Sequence, residues 1–494
     1  MQKFRSVVLL LLFCFGLTNG EVFVTADGAA GMVSGSSFLL ESDGVSCIID
    51  AGMFMENEQI EKRNFRIAPK FLNANALVLT HAHTDHIGRV PLLAASGFNG
   101  KIYATAATKA LALEFFSNGT GADLIKRKWF WYDDNANKKI AHWKDFCLKD
   151  EKPQTVLNPI NFIDFQKSRK GRWEICKICI LSQTAEIEKL FVELEYGQVV
   201  ELAENFSFKL LDAGHIPGSA SVLFNVEETR ILFSGDLGSG FLKLQSKSLA
   251  APKSDFVFIE TTNGNVESVD ENEFSAFRKD ILNALNNSKI VWISALSFHR
   301  TQSLLYELKL MQDEGILNSN IPIYSLSPSA NRITNLFEQE IVGQKRDWFA
   351  KEVYEKETLI PKNFKMQMPI FKGPMIIISS SGDMDMGMSK NLFLKLSPRK
   401  DVFMMVVNYV SPTSRAGILL ANKEKFNIKK YNIFSGHPVL KEIFRWLENQ
   451  DKKNTKLYLI HGELENMFSA RQVFARAGFA NVKILKIDER IQLR

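Results

Sequence analysis

Thr80-His81-Ala82-His83-Thr84-Asp85-His86 packs three imidazoles and a carboxylate into one HxHxDH run. It follows Ala76-Leu77-Val78-Leu79-Thr80, a short apolar run that reads as a buried strand. It precedes Gly88-Arg89-Val90-Pro91-Leu92-Leu93, which reads as a turn entering a helix. The run therefore sits where a strand ends, on a loop held by rigid elements. Side chains alternate along extended backbone, so His81 and His83 point the same way, towards one ion. Asp85 and His86 follow where the chain bends, and they can reach a second. Imidazole nitrogens and carboxylate oxygens are ligands that zinc prefers.

Working outward, six of the eight histidines fall into four short clusters. His215 sits in Gly214-His215-Ile216-Pro217-Gly218-Ser219, after the strand pattern Phe208–Asp212. A lone histidine reads as a hydrogen-bonded core residue; its place at a strand end gives His215 the second reading of a ligand. Asp236 follows the strand pattern Thr229–Phe233 in Ser234-Gly235-Asp236-Leu237-Gly238. Ser-Gly-Asp alone is a common turn, but flanking glycines leave this carboxylate room to bridge two ions. Ser435-Gly436-His437 and Ile460-His461-Gly462-Glu463 are the remaining clusters. Together they predict a two-metal hydrolase site, in which paired ions clamp the attacking and leaving oxygens of a phosphate displacement.

The order Asp50, HxHxDH, His215, Asp236 resembles motifs one to four of the metallo-β-lactamase superfamily. Further along, the chain is similar to its β-CASP branch of nucleic-acid-processing nucleases. Gly28-Ala29-Ala30 with Val33-Ser34-Gly35-Ser36 resembles the opening strand and turn, and Glu260-Thr261-Thr262-Asn263-Gly264 the Glu-Ser-Thr-Tyr-Gly of motif A. Arg300-Thr301-Gln302 matches the Arg-Thr-Gln helix, Phe434-Ser435-Gly436-His437 motif B, and His461-Gly462-Glu463 motif C. The resemblance runs from about Glu21 to the C-terminus, except about Ser117 to Ser182, and is nearest to RNA endonucleases related to the cleavage-and-polyadenylation nuclease.

It implies an α/β fold: an αββα sandwich over 21–265, an inserted β-CASP α/β cap over 266–431, and a return to the sandwich over 432–494. It implies two zinc ions per chain. His81, His83 and His215 would hold one; Asp85, His86 and His461 the other, with Asp236 as the bridge. His437, oriented by Glu260, would protonate the leaving oxygen, and Asp50 would orient a ligand histidine. His299 would lie near the cleft mouth, where a packing or surface role is equally open. Arg300 or Ser379-Ser380-Ser381 would hold flanking phosphates. The implied substrate is nucleic acid, RNA favoured over DNA. There are departures. The Gly-Met-X-X-Gly-Gly loop is Ser381-Gly382-Asp383-Met384-Asp385-Met386-Gly387, whose carboxylates would repel a phosphate backbone if they faced it. The Gly-Tyr-Gln is Asn408-Tyr409-Val410, the residue two past motif B's histidine is Val439, and the motif A aromatic is Asn263. Two other functions stay open: a non-nucleolytic metallohydrolase of a small ester or lactam, and a zinc-bound RNA scaffold without turnover. The cap motifs speak against the first, and the intact ligand set against the second.

A chain of 494 residues with 46% hydrophobic and 23% charged content is globular and large enough for two domains. Its 38 phenylalanines read as core filling. The net charge of +6 is compatible with nucleic acid but too mild to argue for it. Lys126-Arg127-Lys128 and Lys167-Ser168-Arg169-Lys170 read as solvated faces. At the N-terminus, Lys3 and Arg5 precede the apolar run Val7–Leu17, shorter than the ~20 residues that span a bilayer. Thr18-Asn19-Gly20 then offers small residues for a cut. The pattern predicts a signal peptide over 1–20 and a secreted or periplasmic protein, with a cytoplasmic apolar helix as the other reading. No spanning helix is expected. Cys47 reads as a buried thiol. Cys147, Cys176 and Cys179, with His142 nearby, leave three readings: a small zinc site, a disulfide, or core cysteines.

Overall fold

A computed structural model describes residues 20–65, 67–117, 165–167, 173–175, 184–244, 248–270, 272–287, 289–342, 353 and 358–494. Residues 1–19, His142, Cys147, Cys176 and Cys179 lie outside the described residues, as do Lys126, Arg127 and Lys128.

Apolar strands too hydrophobic for a one-sided sheet must be covered on both faces, and this chain covers them in layers. The first seven-stranded sheet runs Arg490–Gln492, Val22–Gly28, Ser37–Ser42, Val45–Ile49, Ala76–Val78, Lys101–Ala104 and Phe191–Glu193. The second runs Asn481–Ile484, Lys456–Ile460, Phe256–Glu260, Thr229–Phe233, Ala220–Val226, Phe206–Asp212 and Val199–Ala203. Their inner faces meet in one core built on Val24, Phe38, Phe208, Phe224, Phe233 and Phe258. Phe258 stacks on Phe233 at 4.3 Å and on Tyr458 at 4.9 Å, so the abundant phenylalanine is indeed core filling here. Helices cover the outer faces, Val90–Ala95 and Ala106–Ser117 on one side, Leu440–Trp446 and Leu464–Arg476 on the other. This is an αββα sandwich.

A third sheet of six parallel strands runs Phe364–Lys365, Ile323–Ser325, Met375–Ser379, Ile290–Ser294, Val402–Val406 and Ile428–Lys430. Helices Asn272–Asn286 and Arg300–Asp313 pack on one face, Gly387–Leu396 and Arg415–Ala421 on the other. The chain then returns to the second sheet: Lys456–Ile460 pairs in parallel with Phe256–Glu260. That register brings His461 beside Thr261, at the strand end where Glu260 also lies.

Among the described residues, no helix is long and apolar enough to cross a membrane. The strand before the HxHxDH run is shorter than its apolar pattern suggests, ending at Val78. Leu79 still bonds through its N–H to the Tyr103 carbonyl at 2.9 Å, so the extended path continues. A single helical turn, Thr84–Ile87, follows and is too short to show a period. Cys47 is buried as expected, and burial pushes its thiol far above the ordinary range.

Candidate metal centre

All the seven expected ligand positions converge at the carboxyl ends of the sandwich strands. His81, His83, His215 and Asp236 form one group, and Asp85, His86 and His461 another; within each, one ligand atom per residue lies within 4.8 Å of the rest. Local structure explains the placement. His83 is the extended residue that caps the turn Thr84–Ile87, and that turn swings Asp85 and His86 away from His81 and His83. His215 lies in the loop of a hairpin whose strands pair Asp212 with Ala220. Its N–H donates to Ser219 Oγ at 2.9 Å, tightening the loop. Gly238 presses the Asp236 loop against it: a Cβ there would lie 2.1 Å from the Gly214 carbonyl oxygen.

Asp236 is fully buried and stands between the groups. Its Oδ2 lies 3.4 Å from His81 Nε2 and 3.7 Å from His215 Nε2. Its Oδ1 lies 3.2 Å from His86 Nε2 and 3.4 Å from His461 Nε2. One oxygen faces each group, which is the arrangement of a bridging carboxylate.

The outer partners set the tautomers. Thr80 Oγ1 donates its proton to Asp50, so it accepts from His81 Nδ1 at 3.1 Å. His86 Nδ1 donates to Asp50 Oδ2 at 2.7 Å. His215 Nδ1 donates to the Gly436 carbonyl at 3.0 Å. Thr262 Oγ1 donates to the His461 carbonyl and accepts from His461 Nδ1 at 3.0 Å. Four imidazoles therefore turn their Nε2 atoms inward. His81 and His215 both face His83 Nδ1, at 3.1 and 3.2 Å. His86 and His461 face each other, Nε2 to Nε2, at 3.1 Å. Lone pairs this close repel unless positive charge sits among them. Asp236 Oδ1, buried without a hydrogen-bond donor, asks for the same. The donor set of imidazoles and carboxylates thus fits a metal pair.

The electrostatics agree. Burial pushes His81 and His215 well below the usual imidazole range and His83 to about 4, so all three are neutral donors. Burial opposes charge on Asp236, yet His461, His86 and His81 hold its carboxyl well below the ordinary range. Burial likewise opposes a proton on His86, but Asp236 and Asp50 outweigh it and raise the group well above the usual value.

His437 is differently placed. Its Nδ1 lies 3.1 Å from both oxygens of the buried Glu260, and 3.8 Å from Asp236 Oδ2. Burial works against its charge, but Glu260 and Asp236 raise it to about 9. Glu260 Oε1 is itself fixed by the Leu237 N–H at 2.8 Å. His437 can also complete a third close group with Asp236 and His461.

Other expected residues fall as follows. Asp50 accepts from the Thr80 N–H at 2.8 Å and from His86, so it orients the His86 ring. His299 is buried rather than at the surface. Arg300 is half-buried and reaches the Val407 carbonyl at 2.6 Å; burial lowers it to about 10. Ser380 joins Ser297 and Ser327 through hydroxyl contacts of 2.8 and 2.7 Å. The carboxylates at 383 and 385 are engaged within the chain. Asp383 accepts from the Asp385 N–H at 3.2 Å, and Asp385 pairs with Arg415 at 3.0 Å. Asn263, where the family has an aromatic, donates to the His437 carbonyl at 3.1 Å and to Ser435 Oγ at 3.2 Å. It ties the Glu260 loop to the His437 loop. Sequence reasoning missed this latch, the supporting hydroxyls of Thr80 and Thr262, and Phe298, whose ring meets His83 edge-on at 5.3 Å.

Residues 30–244 match the metallo-beta-lactamase superfamily, 301–419 the Beta-Casp domain, and 425–485 the Zn-dependent metallo-hydrolase RNA specificity domain. The chain belongs to the β-CASP branch of the metallo-β-lactamase superfamily. Among curated relatives of this β-CASP protein, Ribonuclease TTHA0252 of Thermus thermophilus is 26% identical over 91% of this chain and 95% of its own length. Transcription termination factor FttA of Methanothermobacter thermautotrophicus is 24% identical over 90% of this chain and 68% of its own. Integrator complex subunit 11 of Danio rerio is 22% identical over 90% and 70%.

Proposed function

We propose that this β-CASP hydrolase cleaves phosphodiester bonds of nucleic acid, as a single-stranded RNA endonuclease holding two zinc ions. One observation carries the reading: two groups of inward imidazole lone pairs share a single buried carboxylate, Asp236, with His437 beside them on Glu260. The RNA specificity match over 425–485 and the ribonuclease among the relatives favour RNA. His81, His83 and His215 would hold one ion; Asp85, His86 and His461 the other, bridged by Asp236. When bound, the pair supplies the positive charge that acidifies a water and neutralises an attacked phosphate.

The chain's own groups do the rest. Glu260 holds His437 through Nδ1, leaving Nε2 free to give a proton to the departing 3′ oxygen. Asp50, Thr80, Thr262 and Gly436 fix the ligand rings. Arg300 has no carboxylate partner among the described residues, which supports a role in taking a flanking phosphate. We also propose that residues 1–20 are a signal peptide and the mature chain begins near Glu21, outside the cytoplasm; intact Met1 on native protein would refute it.

The decisive experiment incubates purified protein with end-labelled single-stranded RNA and DNA, with and without chelator. Internal cleavage of RNA that chelator abolishes is expected. Folded, metal-loaded protein that leaves RNA intact would overturn the reading.

A further inference from the structure

His299 has no part in the chemistry assigned so far, yet the fold holds it at some cost. It precedes the helix Arg300–Asp313 with φ near +59°, a left-handed conformation that side chains avoid. Neighbours enforce it: the Thr301 hydroxyl and N–H bond to the Leu296 carbonyl at 2.8 and 3.2 Å, and the Ser303 N–H bonds to the His299 carbonyl at 2.8 Å. The side chain is only 4% exposed. Its Nε2 is buried with no hydrogen-bond partner, and the ring caps nothing in its own helix. A left-handed backbone together with an unpaired buried nitrogen marks a group kept for something other than packing.

The surroundings say what is missing. Phe298, one residue earlier, packs its ring on His83, so this loop lies over the His81–His83–His215 side of the metal centre. Arg300, one residue later, has no carboxylate partner among the described residues. We propose that His299 donates a hydrogen bond from Nε2 to a phosphate oxygen of the bound strand, beside Arg300 and on the His83 side of the centre. The inference rests on the phosphodiesterase reading and adds a substrate contact to it. An imidazole suits the position better than a lysine. Burial, His83 and Arg300 push His299 to about 3, so it is neutral. A neutral donor can meet phosphate without adding a fourth positive charge to the two proposed cations and a guanidinium.

Glycine separates this role from a structural one, because glycine adopts the left-handed conformation freely. His299→Gly and His299→Gln are compared with the wild type on a single-stranded RNA oligonucleotide and on bis(p-nitrophenyl) phosphate. Metal content and unfolding temperature are measured alongside. His299→Gly should bind as much metal and unfold no lower than the wild type. Its kcat/KM on RNA should fall roughly 10–100-fold, the loss of one hydrogen bond to a charged group. His299→Gln, which keeps a donor, should recover part of it. Wild-type kcat/KM in His299→Gly would overturn the inference while leaving the phosphodiesterase reading intact. So would a lowered unfolding temperature with lost metal, which is the mark of a packing residue. Metal-loaded wild type inert on both substrates would overturn both.

Discussion

His437 and His461 stand 5.5 Å apart, ring to ring, yet their partners give them different work. His461 is tied through Nδ1 to a hydroxyl and turns a lone pair towards His86. His437 is tied to a buried carboxylate that favours its imidazolium. A proton donor and a metal ligand respond differently to removal. His437→Ala should slow RNA cleavage by roughly 10²–10⁴-fold with metal content unchanged. It should lose less on a diester with a p-nitrophenolate leaving group, which departs without a proton. His461→Ala should lose metal and show no such rescue. Elemental analysis and the two substrates decide it; metal loss in His437→Ala with retention in His461→Ala would mean the roles are reversed. Whereas the resemblance supplied His461, the HxHxDH run, His215 and Asp236 were legible as candidate ligands because each follows a strand pattern at a turn. Their supports were not. Thr262 meets His461 across 199 positions and Asn263 meets His437 across 174, and no local period signals such contacts. The free nitrogen of His299 was equally invisible, since only the assembled cleft shows that nothing answers it.

At the scale of elements, precision at the site depends on strands whose ends carry the ligands. Phe256–Glu260 is the clearest case, since it delivers Glu260 and lies between the strands leading to Asp236 and His461. Phe258, fully buried, is stacked between Phe233 and Tyr458 on the inner face. Phe258→Ala should cost about 3–5 kcal/mol, the usual loss for a large aromatic in a core that cannot collapse. A denaturant titration checks it, as a lowered midpoint; a change under about 1 kcal/mol would mean that the layer repacks freely. Such strands were easy to read where the apolar residues run together: Thr229–Phe233 falls where the sequence puts it. The turn Thr84–Ile87 was not, because a single turn has no amphipathic repeat. The loop at 381–387 shows the limit of composition. Its aspartates looked like a barrier to phosphate, but Arg415 comes from a distant helix to pair with Asp385.

For the whole molecule, the centre is a place where the two sheets meet. His81, His83, Asp85 and His86 come from the first sheet's side, His215, Asp236 and His461 from the second's. Metal ions held as proposed would join the two layers, since each of these two ligand groups draws its residues from both sheets. Binding that favours the folded state adds RT ln(1 + [L]/Kd), about 2.7 kcal/mol at a hundredfold excess over Kd. Exhaustive chelation should therefore lower the thermal unfolding temperature as well as abolish cleavage, and added zinc should restore both. The same linkage sets a direction with pH. Ligand imidazoles must be unprotonated to bind metal, so acidification should release the ions and remove their contribution to stability. Differential scanning fluorimetry with and without chelator, at pH 7.5 and near pH 4, where His83 takes up its proton, tests the coupling. The chelator-sensitive gap should be wide at the higher pH and narrow at the lower. Loss of cleavage with no shift in unfolding at either pH would show that the ions serve the reaction without joining the sheets.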